Sequence, residues 1–258
     1  MSHQKSANRL PAFITEFSTQ AFWDVTLDCL DTPRNPAEQF SIFDLDSRAL
    51  EVSGKRIVEE GFVQLPVLPW DPWFADITKA VKKLEQLRIP LAFIFTRYQP
   101  WLLAVKLHRI IEQLFGEPCL MLPDFWVWHV DPQNQDQGWK PHRDKGPGAL
   151  FPDGRPKSLT VWLPLTDATT QNGCMYVIPA NRDSSYAAGT FDPSRLDLQN
   201  IVALPAQAGS VLIWNQAVMH WGARTLNRAT APRISIAFEF QMASVPAFNQ
   251  PLLNPGVI

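Results

Sequence analysis

Two residues with metal-binding side chains lie close together near the middle of the chain. His142 and Asp144 are separated by one residue in the segment Lys140-Pro141-His142-Arg143-Asp144. In an extended backbone, residues two apart project to the same side, so both side chains can reach one point in space. Imidazole and carboxylate together suit divalent iron, manganese or zinc. A His-x-Asp pair is a weak signal by itself, because such pairs also arise by chance.

A third metal ligand is offered by His220, which follows the largely apolar run over residues 209–214. A histidine just past a β-run can join His142 and Asp144 when a barrel brings strand ends together. Two imidazoles and one carboxylate on one face of a metal leave three positions open for substrate, co-substrate and oxygen. We therefore predict that these three residues bind the metal and form the catalytic centre. A lone histidine in such a place is more often structural, so the prediction depends on all three.

An arginine interrupts the last apolar run of the chain. Arg233 begins the run over residues 233–240, which is otherwise largely apolar. Burying a guanidinium is costly unless an anion meets it, and its planar fork can hold a carboxylate through two parallel hydrogen bonds. Ser235 faces the same side two residues later and can add a hydroxyl donor. The alternative is an arginine that reaches solvent from the strand end.

Hydrophobic spacing predicts the elements that position these residues. Apolar side chains within residues 73–87 and 103–114 recur every three or four positions, which indicates two amphipathic helices. From about residue 120, short aromatic and β-branched runs alternate with turn residues, which indicates a sandwich or barrel rather than β-α-β units. Two longer loops, over residues 145–157 and 181–200, interrupt the strands. Loops of this length are often lids or binding loops.

The composition narrows the class of protein. Hydrophobic residues make up 46% and charged residues 19% of 258 residues, which predicts a globular fold with a full core. The net charge of −2 gives no basic face for nucleic acid, and no run of ~20 apolar residues predicts a membrane span. Cys29, Cys119 and Cys174 form no CxxC pair, so neither a disulfide framework nor a thiolate zinc site is predicted. We expect a cytoplasmic protein with no obligate protein partner.

Several segments together resemble a known family. They are residues 60–66, residues 139–144, the block LTVWLPLTDATTQNGCMYVIP over residues 159–179, residues 209–214 with His220, and residues 232–236. On these segments, the chain resembles the phytanoyl-CoA dioxygenase-like family of Fe(II)/2-oxoglutarate oxygenases over roughly residues 55 to 240. The block over residues 159–179, with its Asn-Gly turn and closing proline, is the most family-specific piece.

The resemblance implies a mainly β fold, the double-stranded β-helix or jelly-roll (cupin-like) barrel, with flanking α-helices. It implies Fe(II) bound by His142, Asp144 and His220, with 2-oxoglutarate and molecular oxygen as co-substrates. Arg233 would bind the distal carboxylate of 2-oxoglutarate with help from Ser235. Trp162 either walls the co-substrate pocket or packs in the core.

The resemblance also predicts the division of the chain. We expect a single oxygenase domain over residues 1–258, with an N-terminal extension over 1–55, a helical flank over 56–118 and a jelly-roll core over 119–245. Since Asp144 is an intact carboxylate, a related halogenase is disfavoured, because halogenases leave that ligand position to chloride.

The predicted function is hydroxylation of a small-molecule substrate by an Fe(II)- and 2-oxoglutarate-dependent dioxygenase. Two alternatives stay open: a cupin-like metal enzyme that does not use 2-oxoglutarate, and a non-catalytic binding or sensor protein on the same fold. Arg233 discriminates the predicted function from the first alternative, because a site that does not bind 2-oxoglutarate has no need of a buried guanidinium. A nucleic-acid demethylase is disfavoured by the net charge.

Overall fold

The computed structural model describes residues 17–30, 43–136, 138–190, 197–248 and 251–255, and the α-helices among them all lie before residue 116. The α-helices of the described residues are α1 (Gln20–Thr26), α2 (Ser47–Glu59), α3 (Phe74–Gln86) and α4 (Tyr98–Phe115). Helices α3 and α4 match the two predicted amphipathic patterns, so both predictions are confirmed. Each buries an apolar stripe, and none of the helices is long and apolar enough to cross a membrane within the described part of the chain.

Local sequence explains where the helices begin and end. The side chain of Asp46 accepts hydrogen bonds from the amides of Arg48 and Ala49 and so caps α2, satisfying donors that have no partner inside the helix. Helix α4 ends at Gly116, whose φ of +71° is left-handed. Glycine adopts this conformation without a steric penalty, which is why it is common just past a helix.

The strands form two antiparallel sheets. The strands are β1 (Phe62–Leu65), β2 (Cys119–Val130), β3 (Ser158–Pro164), β4 (Met175–Ile178), β5 (Val202–Leu204), β6 (Val211–Asn215), β7 (Met219–Gly222) and β8 (Arg233–Met242). The larger sheet has the order β1-β6-β3-β8-β2, and the smaller has the order β5-β4-β7. Strand β2 therefore lies at one edge of the larger sheet, next to β8.

Side chains that alternate between the two faces of the larger sheet contribute to two separate hydrophobic cores. Even-numbered residues of β8, such as Ile236 and Phe238, pack with the helices, whereas odd-numbered Arg233, Ala237 and Glu239 line a cavity on the opposite face. Successive side chains in a strand point to opposite faces, so one strand serves both layers. The larger sheet thus has helices on one face and the smaller sheet on the other.

The domain boundaries stay a prediction. Helix α2 crosses the predicted boundary at residue 55, and residues 1–16 and 31–42 of the predicted extension lie outside the described residues. Residues 191–196 of the second predicted loop also lie outside them.

Candidate active site

The fold brings the three predicted metal ligands together. One ligand atom from each of His142, Asp144 and His220 lies within 4.8 Å of the others. The Nε2 atoms of both histidines are 3.4 Å from Oδ1 of Asp144. The backbone amide of each histidine donates a 3.0 Å hydrogen bond to the carbonyl of the other. The protein backbone therefore fixes the relative position of the two imidazoles.

Backbone carbonyls orient both imidazole rings. Nδ1 of His142 lies 2.7 Å from the carbonyl of Lys140, and Nδ1 of His220 lies 3.1 Å from the carbonyl of Val218. A carbonyl only accepts, so Nδ1 carries a hydrogen, and Nε2 is the atom that can bind a metal at the shared point once it holds no proton of its own. Burial lowers the pKa of His220, which favours its neutral form. Burial has the same effect on His142, but the hydrogen bond and charge of Asp144 outweigh it and raise the pKa.

Asp144 is held by two donors on one of its oxygens. The Thr160 hydroxyl and the Trp214 indole N–H donate to Oδ2 at 2.7 and 3.0 Å. Burial opposes ionisation of Asp144, but nearby His220 and hydrogen bonds from His142, Thr160 and Trp214 outweigh it, and the pKa lies well below its ordinary value. Oδ2 is thereby occupied, and Oδ1 faces the two imidazoles. Two nitrogens and one carboxylate oxygen suit a divalent metal with further positions open.

Arg233 is buried without an anionic partner. Its side chain is 2% exposed, and its Nη1 donates a 2.9 Å hydrogen bond to Oγ of Ser235. Nε has no hydrogen-bond partner, and burial lowers the pKa of the guanidinium to about 10. Among the described residues, no carboxylate forms an ion pair with it. A buried cation without a counter-charge is costly, so this position is suited to an anionic ligand.

Trp162 lies beside this arginine. The guanidinium carbon of Arg233 is 5.7 Å from the centroid of the Trp162 ring. The ring is 1% exposed, belongs to the core between the sheets, and also lines the cavity. The position of Trp162 therefore fits both roles considered from the sequence, packing in the core and walling the co-substrate pocket.

One cavity of about 300 Å³ connects the three metal-binding side chains with Arg233. Its wall consists of Asp124, Trp126, Trp128, Trp139, His142, Asp144, Lys145, Thr160, Trp162, Met175, Trp214, His220, Gly222, Arg233, Ala237 and Glu239. The predicted metal ligands and the buried guanidinium of Arg233 therefore face the same space.

Residues 60–234 match the sequence profile of the family described as phytanoyl-CoA dioxygenase (PhyH). The chain belongs to the phytanoyl-CoA dioxygenase family. The matched region includes the three predicted metal ligands and Arg233. No protein of curated function matches the chain by sequence. Family membership and the His142-Asp144-His220 cluster together indicate an oxidoreductase that uses Fe(II), 2-oxoglutarate and oxygen.

Solved structures with low sequence identity share the fold. The non-heme alpha ketoglutarate dependent epimerase SnoN from nogalamycin biosynthesis is 18% identical, with a TM-score of 0.54, over 81% of this chain and 93% of that one. The non-heme monooxygenase ThoJ is 16% identical, with a TM-score of 0.55, over 78% and 82% of the two chains. HygX from Streptomyces hygroscopicus, with iron bound, is 14% identical, with a TM-score of 0.54, over 78% and 88%. The predicted jelly-roll fold with flanking helices is confirmed.

Sequence reasoning missed Glu239, which lies at the far end of β8 from Arg233. Its side chain is buried, and Gln216 Nε2 donates a 2.6 Å hydrogen bond to its Oε2. Burial and the negative charge of Asp144 raise the pKa of Glu239 to about 7. The signal that identified Arg233, a charge inside an apolar strand, applies equally to Glu239.

A buried amide links Glu239 with the support of Asp144. Besides its bond to Glu239, Gln216 Nε2 donates to Oγ1 of Thr160 at 3.1 Å, and its Oε1 accepts from Ser158. Thr160 in turn donates to Asp144. This network fixes the hydroxyl of Thr160 so that its hydrogen points at the carboxylate.

Two cations that flank the metal-binding cluster in the sequence are already engaged. Arg143 donates to the carbonyl of Ala217 at 2.6 Å and to Oδ2 of Asp183 at 2.7 Å. Lys145 Nζ lies 3.2 Å from Oδ2 of Asp124. Both side chains therefore hold parts of the protein together.

Proposed function

We propose that this member of the phytanoyl-CoA dioxygenase family is an Fe(II)- and 2-oxoglutarate-dependent dioxygenase that hydroxylates a small molecule. His142, Asp144 and His220 would bind the iron, and Arg233 would bind the distal carboxylate of 2-oxoglutarate. The observation that carries the proposal is the buried guanidinium of Arg233, which has no carboxylate partner among the described residues and faces the same cavity as the three predicted metal ligands.

The three predicted metal ligands would bind the iron, whereas Arg233 would bind the co-substrate. When bound, iron and 2-oxoglutarate together activate oxygen for attack on a C–H bond and yield succinate and carbon dioxide. The His142-Asp144-His220 face leaves room for this chemistry, because it supplies only three ligands. Arg233 and the Ser235 hydroxyl would orient the keto acid by binding its far end. The guanidinium fork matches a carboxylate in shape and charge.

The walls of the cavity serve to exclude water. Trp162 and Trp214 are almost fully buried and both line the cavity. Removing water strengthens the electrostatic attraction between a cation and a carboxylate. Trp214 has a second task, since its indole N–H holds Asp144.

Similar structures support the cofactors and widen the range of outcomes. SnoN has been crystallised in complex with Fe3+, alpha ketoglutarate and nogalamycin RO, and SnoK is described as a carbocyclase. Epimerisation, ring closure and mono-oxygenation thus occur on this fold. Hydroxylation is our proposal for this chain because it needs nothing beyond a C–H bond held near the iron.

The test begins with anaerobic addition of Fe(II) and 2-oxoglutarate, monitored by the visible charge-transfer band of the chelate. We expect the band for the wild type and its loss in His142→Ala and Asp144→Ala. His129→Gln serves as the matched control, because His129 does not line the cavity. With oxygen admitted, the wild type should form succinate from 2-oxoglutarate.

The same measurements discriminate between the alternatives. Tight metal binding without a 2-oxoglutarate-dependent band would favour a cupin-like enzyme of another class. Binding of 2-oxoglutarate and iron without any succinate would favour a sensor. Either outcome would contradict the proposed function.

A further inference from the structure

Three tryptophans line the cavity, and two of them are also exposed to solvent. Trp126 and Trp128 stack with centroids 6.1 Å apart and an interplanar angle of 22°, on the edge strand β2. The Trp139 ring also lines the cavity, edge-on to His142 with centroids 6.1 Å apart. Trp126 is 50% exposed and Trp139 is 59% exposed. Exposed indoles that border a concave site indicate a surface on which a ligand packs.

Two carboxylates in the cavity wall, those of Asp124 and Glu239, have oxygens that can accept further hydrogen bonds. Lys145 Nζ lies between Oδ2 of Asp124 at 3.2 Å and Oε2 of Glu239 at 3.4 Å. Within the described residues, the contacts of the two carboxylates use these oxygens and leave Oδ1 and Oε1 as acceptors. Acceptors of this kind bind hydroxyl or amino groups and repel anions.

Neither of the two cations in the cavity wall, Lys145 and Arg233, is free to bind an anionic substrate. Lys145 is neutralised by two carboxylates, and Arg233 is reserved for the co-substrate under the proposed function. No further lysine or arginine is among the described residues that line the cavity. An anionic group that entered this space would meet the Asp124 carboxylate and a lysine that is already paired with it.

The size of the cavity limits what can be enclosed. About 300 Å³ is at the lower end of small-molecule sites, and the co-substrate must share it. The enclosed part of a substrate is therefore small, and the remainder must lie over the exposed rings of Trp126 and Trp139.

We propose that the substrate is a ring-bearing molecule with a hydroxyl or amino group and no anionic group. Its ring packs against the exposed tryptophans Trp126 and Trp139, and its donor group binds Asp124 and Glu239. The inference rests on the proposed function, because it assigns Arg233 to 2-oxoglutarate and the rest of the cavity to the substrate.

The test uses protein saturated with Fe(II) and 2-oxoglutarate under anaerobic conditions, so that Arg233 is occupied. The chelate band is recorded first, and its absence from the wild type would contradict the proposed function rather than this inference. Dissociation constants of 2-phenylethanol, 2-phenylethylamine and 3-phenylpropionate are then measured by calorimetry. We expect the alcohol and the amine to bind at least about tenfold more tightly than the acid.

Variants of the rim separate ring packing from charge. Trp126→Ala and the milder Trp126→Leu should weaken binding of 2-phenylethanol by about threefold to tenfold, because aromatic contact is lost. Leu226→Ala is the matched control, since Leu226 is exposed and lies outside the cavity wall. Asp124→Asn should reduce the difference in dissociation constant between 2-phenylethanol and 3-phenylpropionate.

Three results would overturn the inference while the chelate band is present. They are equal affinity for acid and alcohol, unchanged affinity in both Trp126 variants, and no binding of the alcohol or the amine up to their solubility limits.

Discussion

Thr160 and Asp144 are joined by a 2.7 Å hydrogen bond from Oγ1 to Oδ2, and this bond decides which carboxylate oxygen faces the two imidazoles. Trp214 occupies the same oxygen from a neighbouring strand. Oδ1 alone is then directed at the nitrogen atoms of His142 and His220. The larger sheet therefore sets the orientation of the Asp144 carboxylate, although Asp144 itself lies outside the strands of that sheet.

Thr160→Val should weaken Fe(II) binding by about tenfold or more, because loss of a hydrogen bond to a metal ligand commonly costs 10–100-fold in affinity. Valine keeps the shape of threonine but leaves Oδ2 of Asp144 without its shortest donor. Thr160→Ser keeps the hydroxyl and is the matched control. Anaerobic iron titration of both variants checks the prediction, and equal affinity in valine and serine variants would refute it.

Arg233→Leu should raise the dissociation constant of 2-oxoglutarate by about tenfold to a hundredfold, since a charged hydrogen bond contributes about 1.5–3 kcal/mol. Iron binding without 2-oxoglutarate should be unchanged. The ligand-free variant should be as stable as the wild type or more so, because an uncompensated buried cation has been removed. Calorimetric titration and thermal unfolding measure the two effects.

Ser235→Ala is the control for that substitution, because it removes the hydroxyl next to Arg233 and keeps the cation. We expect a smaller loss of 2-oxoglutarate affinity than in Arg233→Leu. If Arg233→Leu bound 2-oxoglutarate like the wild type, the guanidinium would have another role.

Which parts of the site could be predicted depends on how local the signal is. His142 and Asp144 are neighbours in an extended segment, so their shared orientation follows from backbone geometry alone. Arg233 was found because a charge inside an apolar strand is exceptional. Glu239 carries the same signal and shares the face of Arg233 by the two-residue period of β8.

The support of Asp144 could not be predicted from the sequence. Thr160 and Trp214 belong to different strands that pair directly with each other, and only the register of that pairing places both donors on one oxygen. Gln216 follows β6 and reaches Thr160 across the same layer. Register is fixed by packing of the whole sheet and is not encoded near any one of these residues.

Glu239→Gln should flatten the pH dependence of stability of the metal-free protein. The pKa of Glu239 is raised to about 7 in the folded state, above its ordinary value, so the folded protein retains a proton that the unfolded chain has released. Stability from this group is full at low pH and is lost as pH rises toward 7. Chemical unfolding at pH 5 and pH 8 should show a loss on the order of 1–3 kcal/mol in the wild type, and a smaller loss in the glutamine variant. An equal loss in both would contradict the assignment to Glu239.

Gly138→Ala should impair both stability and metal binding, because the backbone ahead of His142 passes very close to strand β7. A Cβ at Gly138 would lie 2.2 Å from the carbonyl oxygen of Gly222, two residues after His220. Backbone has no rotamer with which to escape, so the two segments must separate, at a cost of about 1–3 kcal/mol. Gly148→Ala is the matched control, since nothing lies within 4 Å of a Cβ there. Thermal unfolding and iron titration should show losses in Gly138→Ala alone, and wild-type values in that variant would mean that the two segments are free to move apart.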